Sequence, residues 1–275
     1  MGARNGMRPA VGVVAITAFV ATVVVGTAIT VMTNRRVILY GDSLASEARD
    51  AFTLALQRGS DIEAVDRTFG GTAICDRLGR MRQDLHDLQP VAVVFDFAGN
   101  NVTPCMQGPN GPLTGPALAD KYRDDARTAT GIFAGAGVRV YWMGAPPITA
   151  AQAGDFELAR HVYEAETGAV TMPPPFGAVE YVDAGRVVVD GRRFTPTLPC
   201  LPSEGAQQGC ADGRIRVRAL DGVHFCPVRE GPGTDRCPVY SSGAVRFGFA
   251  MAGPVRRDLL GAPGEPIPAG STFSG

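Results

Sequence analysis

Short apolar runs separated by amphipathic stretches set the rhythm of this chain. Val37-Ile38-Leu39-Tyr40 is unbroken and half β-branched, the pattern of a buried strand, and it breaks at Gly41-Asp42-Ser43. A helix is predicted over Ala45 to Gln57, with Ala48, Ala51, Phe52 and Leu56 among its apolar positions. The alternation then repeats. Ile62 to Phe69 reads as a strand ended by Gly70-Gly71-Thr72, and a helix follows through Leu78, Met81, Leu85 and Leu88, stopped by Pro90. Val91 to Phe97 is almost continuously apolar, the mark of a strand covered on both faces, and it ends in Gly99-Asn100-Asn101. A long helix (about Pro116 to Ala134), a strand (Val138 to Met143), a helix (Phe156 to Thr167) and a fifth strand (Val179 to Asp183) complete the series.

Strands alternating with helices predict an α/β fold: a three-layer, doubly wound, five-stranded parallel sheet with right-handed crossovers. In such sheets ligands bind beyond the carboxyl ends of the strands, where the turns at 41, 70 and 99 all fall. From Gly185 to Leu220 the pattern is irregular, with Val187–Val189 and Ile215–Arg218 expected as hairpin strands around a cysteine-closed loop. Ser241-Ser242 then caps a final helix through Val245, Phe249 and Leu259.

Residues 10–32 are 23 in a row without a charge, enough for a helix to cross a bilayer core of about 30 Å. This predicts a single-pass signal anchor, with residues 1–9 cytoplasmic, residues 37–260 an extracytoplasmic domain, and a Pro/Gly/Ser-rich disordered tail over 261–275. Cleavage near Gly26-Thr27-Ala28, giving a secreted protein, is the rival expectation. The six cysteines fit an oxidising compartment. Of their fifteen pairings, Cys200–Cys210 and Cys226–Cys237 are preferred because each closes a short Gly/Pro-rich loop, which leaves Cys75–Cys105; the alternative is buried free thiols. A net charge of −1 gives no field to attract nucleic acid. No C-x-x-C pair, Asp/His/Glu cluster or phosphate-cradling loop calls for a metal or nucleotide cofactor.

Ser43 sits where a strand gives way to a helix, with free N–H groups and the positive end of the helix dipole beside its hydroxyl. The bland reading is a helix cap. A nucleophile would need a base and an orienting acid. His86, on the polar face of its helix beside Asp84 and Asp87, and His161, beside Arg160, read as solvated. His224 differs, lying in a loop three residues after Asp221, close enough for the carboxylate to accept its Nδ1–H.

Gly41-Asp42-Ser43-Leu44, the turn at Gly70, Gly99-Asn100 and Asp221-x-x-His224 occur in the order of the conserved blocks of the SGNH (GDSL) hydrolases, which this chain resembles over about residues 37–260. The resemblance implies an SGNH/flavodoxin-like fold, Ser43 as nucleophile, His224 as base and Asp221 as orienting acid. It also implies an oxyanion hole from the backbone N–H groups of Ser43 and Gly70 (or Gly71) and the Asn100 side chain, and no cofactor. Where the family has Gly-Asn-Asp this chain has Gly99-Asn100-Asn101. The implied reaction is hydrolysis of a carboxylic ester of an envelope lipid or O-acylated glycan through an acyl-enzyme. An acyltransferase with a sugar acceptor, or a catalytically silent glycan-binding domain, are the alternatives. Trp142, residues 190–220 and the Pro173–Phe176 loop are expected at the rim of the crevice, or else as core and plain surface.

Overall fold

The computed structural model describes residues 35–151, 153–168, 177–228 and 237–262, together with 2 and 264. Its core is a five-stranded sheet of β1 (Arg35–Gly41), β2 (Ile62–Thr68), β3 (Ala92–Asp96), β4 (Arg139–Met143) and β5 (Val179–Val182), in the order β2-β1-β3-β4-β5 and parallel throughout. This is the flavodoxin-like order, in which the chain reverses direction across the sheet between β1 and β3. Between the strands run α1 (Ser43–Gln57), α2 (Leu78–Leu88), α3 (Gly115–Ala134) and α4 (Ala153–Gly168), and α5 (Ser242–Leu260) closes the fold.

The period-two alternation of the strands decides which helices lie on which face. Val37, Leu39, Val94, Tyr141 and Met143 pack with Leu44, Ala48 and Phe52 of α1 and Phe247, Met251 and Val255 of α5. Ile38, Tyr40, Val93, Phe95, Val140 and Trp142 face the opposite way, onto Met81 of α2, Tyr122 and Phe133 of α3 and Tyr163 of α4. Trp142 therefore belongs to the core rather than the crevice rim. Its ring stacks on Tyr163 at 4.7 Å, lies 4.6 Å from Phe95, and its Nε1–H donates to Thr130 Oγ1 at 3.0 Å.

Two buried carboxylates show opposite electrostatic solutions. Asp84, expected on the polar face of α2, is buried and accepts from Tyr40 Oη (2.6 Å), Arg67 Nε (2.7 Å) and Arg80 Nη2 (2.9 Å). Burial opposes its charge, but these donors outweigh it and lower its pKa. Asp96, the last residue of β3, is fully buried, and neither carboxylate oxygen has a hydrogen-bond partner among the described residues. Burial first, and the neighbouring Asp42 second, raise its pKa well above the ordinary value. A carboxyl with a raised folded-state pKa favours folding below its unfolded pKa, and that contribution is lost as pH rises toward the folded value. Asp96→Asn is thus expected to raise Tm at about pH 7, with the gain vanishing as pH falls toward about 4; thermal melts across that range measure it.

All three preferred disulfides are present: Cys75–Cys105, Cys200–Cys210 and Cys226–Cys237. The irregular region differs from expectation at Val187–Val189. Ala184–Val188 is a 3₁₀ turn, with Gly185 N–H donating to Gly144 O at 2.8 Å, so only Val189 enters a hairpin, paired with Phe194. Thr197–Pro199 and Arg214–Arg216 form a second antiparallel pair, flanking the Cys200–Cys210 loop. Among the described residues no helix is long and apolar enough to cross a membrane. The predicted anchor over 10–32, the preceding residues 3–9, the Pro173–Phe176 loop and residues 265–275 of the tail lie outside the described residues.

Candidate active site

β1 delivers the chain to Gly41, where only a glycine fits: a Cβ there would lie 2.4 Å from Asp96 O and 2.3 Å from Ala45 Cβ. The next residue, Asp42, caps α1 by accepting from Leu44 N–H at 3.1 Å, and its other oxygen accepts from Ala98 N–H at 2.7 Å. Ser43 is thereby held as the first residue of α1, half-buried, with its hydroxyl at the positive end of the helix dipole.

Asp221 and His224 lie in the loop between the Arg214–Arg216 strand and α5. Although 181 residues separate them in sequence, His224 Nε2 and Ser43 Oγ are 2.9 Å apart. His224 Nδ1 lies 2.7 Å from Asp221 Oδ2, while Asp221 Oδ1 accepts from the backbone N–H groups of Val223 (2.9 Å) and His224 (3.0 Å). Burial opposes ionisation of Asp221, but these donors outweigh it and bring its pKa down to about 2. Gly222, between the pair, takes the left-handed conformation (φ +72°) and a Cβ there would meet Thr149 Oγ1 at 2.1 Å. The sequence-predicted serine, histidine and aspartate thus converge on one relay.

Two residues that support this loop escaped sequence reasoning. Glu47, one helical turn after Ser43, is buried, and its Oε2 accepts from Phe225 N–H (2.7 Å) and Cys226 N–H (3.1 Å), directly after His224. Its i+4 spacing from the serine was the available signal. Arg218 is wholly buried between the rings of Phe194 (5.6 Å) and Phe225 (5.0 Å), and its Nη2 donates to Pro147 O at 3.1 Å. Burial pushes its pKa down to about 10 against the attraction of Glu47 and Asp221. Glu47→Ala would leave two buried N–H groups unpaired, and is expected to lower stability by about 2–3 kcal/mol in denaturant titration, together with kcat. Glu47 also lies near Cys226 and Cys237, but those sulfurs are bonded to each other and cannot serve as metal ligands.

The remaining predicted residues flank the serine. The Asn100 side-chain amide donates to Asp42 Oδ2 (3.0 Å) and Thr72 O (3.2 Å), bridging the turns after β1, β2 and β3. Gly70 precedes Gly71 in the turn after β2, and Gly71 takes the left-handed conformation (φ +75°). The Cys75–Cys105 disulfide ties the segments that follow these two turns. Asn101 donates to Asp155 Oδ2 at 2.8 Å, so a carboxylate at this corner comes from α4 rather than from the residue after Asn100. At Gly99 (φ +92°) a Cβ would press on the backbone of Asp155 at 3.2 Å, which lets α4 approach. His86 and His161 are exposed on their helices, pairing with Asp87 at 2.8 Å and Glu157 at 3.1 Å.

Residues 36–230 match the family described as "protein of unknown function (DUF459)", an SGNH-like family, and the chain belongs to it. No curated protein matches the sequence. Solved structures similar in fold include a GDSL-like lipase from Bacteroides thetaiotaomicron (16% identity, 83% of this chain and 91% of that one, TM-score 0.49). A lipase/acylhydrolase from Enterococcus faecalis is also similar (13% identity, 58% and 87%, TM-score 0.38), as is an acetyl xylan esterase (20% identity, 48% and 72%, TM-score 0.39).

Proposed function

We propose that this chain is a serine ester hydrolase in which Ser43 attacks a carboxylic ester. The observation that carries the reading is the 2.9 Å approach of His224 Nε2 to Ser43 Oγ, with Asp221 on the far side of the ring. An ionised Asp221 favours the tautomer with its proton on Nδ1, which leaves Nε2 to accept the serine proton. Attack on the ester carbonyl gives a tetrahedral intermediate. His224 then returns the proton to the departing alkoxide, leaving the acyl group on Ser43, and water repeats the sequence in reverse.

The developing oxyanion is met by the Ser43 N–H at the start of α1, with the Gly70 N–H and the Asn100 amide as the further donors. To serve, Asn100 gives up one of its present bonds, the 3.2 Å contact to Thr72 O being the longer. Phe69, Val102 and Leu220 are exposed apolar residues next to Gly70, close after Asn100 and next to Asp221, and they offer an apolar rim to an acyl group. The substrate is a carboxylic ester of an envelope lipid or an O-acylated glycan, presented outside the membrane to a domain held there by residues 10–32.

The test uses the full-length protein in detergent with a fluorophosphonate probe and chromogenic esters of graded chain length. Labelling at Ser43 with ester turnover supports the reading, and the absence of both overturns it. Product analysis with and without a glycan acceptor separates hydrolysis from acyl transfer.

A further inference from the structure

A second cleft, of about 450 Å³, lies outside the Ser43–His224–Asp221 relay, between α4, the end of β5 and the 3₁₀ turn and hairpin that follow β5. That volume falls within the range of about 300–1,000 Å³ typical of small-molecule sites. One loop separates the cleft from the relay. Ala145 and Pro147, after β4, face the cleft, while Thr149 two residues on donates its N–H to Gly222 O at 3.1 Å, inside the catalytic turn. Pro147 O also receives the buried Arg218.

The lining is polar and balanced in sign, with Arg160, Arg186 and Arg192 set against Glu157, Glu164 and Asp183. Arg160 pairs with Glu157. Glu164, Asp183, Arg186 and Arg192 make no ion pair or side-chain hydrogen bond among the described residues. Two free guanidinium groups and two free carboxylates across one cleft therefore offer donors and acceptors together. Tyr181 lies among them, over Gly144, where its hydroxyl occupies the space a Cβ would need.

This arrangement discriminates between ligands. An acyl chain needs continuous apolar walls, and among the described lining residues Ala145, Pro147, Val189 and the Tyr181 ring are interrupted by six charged side chains. A phosphate needs an excess of positive charge, which the acids cancel. A sugar hydroxyl donates and accepts at once, so it satisfies both kinds of partner. We propose that this cleft binds the glycan portion of an O-acylated glycan whose ester lies at Ser43, across the Gly144–Thr149 loop. The assignment rests on the ester-hydrolase reading and narrows its substrate class.

The probes are O-acetylated xylo-oligosaccharides and chito-oligosaccharides, and their deacetylated forms, with the full-length protein in detergent. In the Ser43→Ala background, calorimetry is expected to detect saturable binding of one deacetylated series, lost when Arg186→Ala and Arg192→Ala are added. In the active enzyme, that arginine pair is expected to lower the ratio of kcat/KM for the acetylated oligosaccharide to that for a chromogenic acetate at least about tenfold. The isosteric Glu164→Gln lowers the same ratio in the same direction and guards against misfolding of the double variant. If both probes are turned over but the ratio does not move, or if neither oligosaccharide series binds, the cleft assignment is overturned. If oligosaccharide binds and depends on the arginines while no ester is cleaved, the cleft stands and the hydrolase reading falls.

Discussion

Ser43→Ala is expected to lower kcat/KM for a chromogenic acetate by about 10⁶, the loss seen when the serine of comparable triads is removed. It is also expected to abolish labelling by a fluorophosphonate. The size follows from the role proposed for the hydroxyl, that of the attacking atom, which lies 2.9 Å from His224 Nε2. The substitution should leave the fold intact. Asp42, not Ser43, caps α1 through Leu44 N–H, and alanine is the best helix former for the first turn. The loss is therefore separable from unfolding by a Tm within a few degrees of wild type. A variant that kept ester turnover would remove Ser43 from the chemistry altogether.

Much of this arrangement was legible in the residues because each signal was local. The run Val37–Tyr40 names β1, Gly41 the tight turn against Asp96, and Asp221-x-x-His224 a turn whose ends meet. The short loops around the cysteines indicated their pairings for the same reason. What stayed hidden depends on contacts between distant segments. Asp84 reads as a solvated helix residue until Arg67 and Tyr40, from neighbouring strands, are brought onto it. Glu47 carries only its i+4 spacing from Ser43 until the chain returns 178 residues later to place Phe225 N–H on its carboxylate. Arg218 carries no signal at all without the two rings that enclose it. Val187–Val189 looked like a strand by composition, but Gly185 is pinned to the end of β4 by Gly144, which winds the following residues into a 3₁₀ turn. Local turn chemistry thus placed the candidate nucleophile and base, whereas the supports that hold the base loop are tertiary.

Asp221→Asn is the second variant with a large expected effect, a fall in kcat of about 10⁴ with the fold retained. The geometry gives the reason. Asp221 Oδ1 accepts from Val223 and His224 N–H, so an asparagine keeps its carbonyl oxygen there and turns its NH₂ toward His224 Nδ1. An NH₂ cannot accept the Nδ1 proton; it demands a lone pair on Nδ1, which moves the ring proton to Nε2. Nε2 then has no lone pair for Ser43 Oγ–H, 2.9 Å away, and the base is switched off while every neighbour stays in place. Nitrogen NMR of the labelled imidazole reads this directly, with the proton on Nδ1 in the native enzyme and on Nε2 in the variant. The acid limb of the native pH profile supplies an independent check. Asp221 stays ionised down to about pH 2, so kcat/KM should fall with a slope of one over that limb, with no second loss from this carboxylate above that pH. A slope of two over that limb, or an unchanged tautomer in the variant, would mean that Asp221 does not set the state of His224.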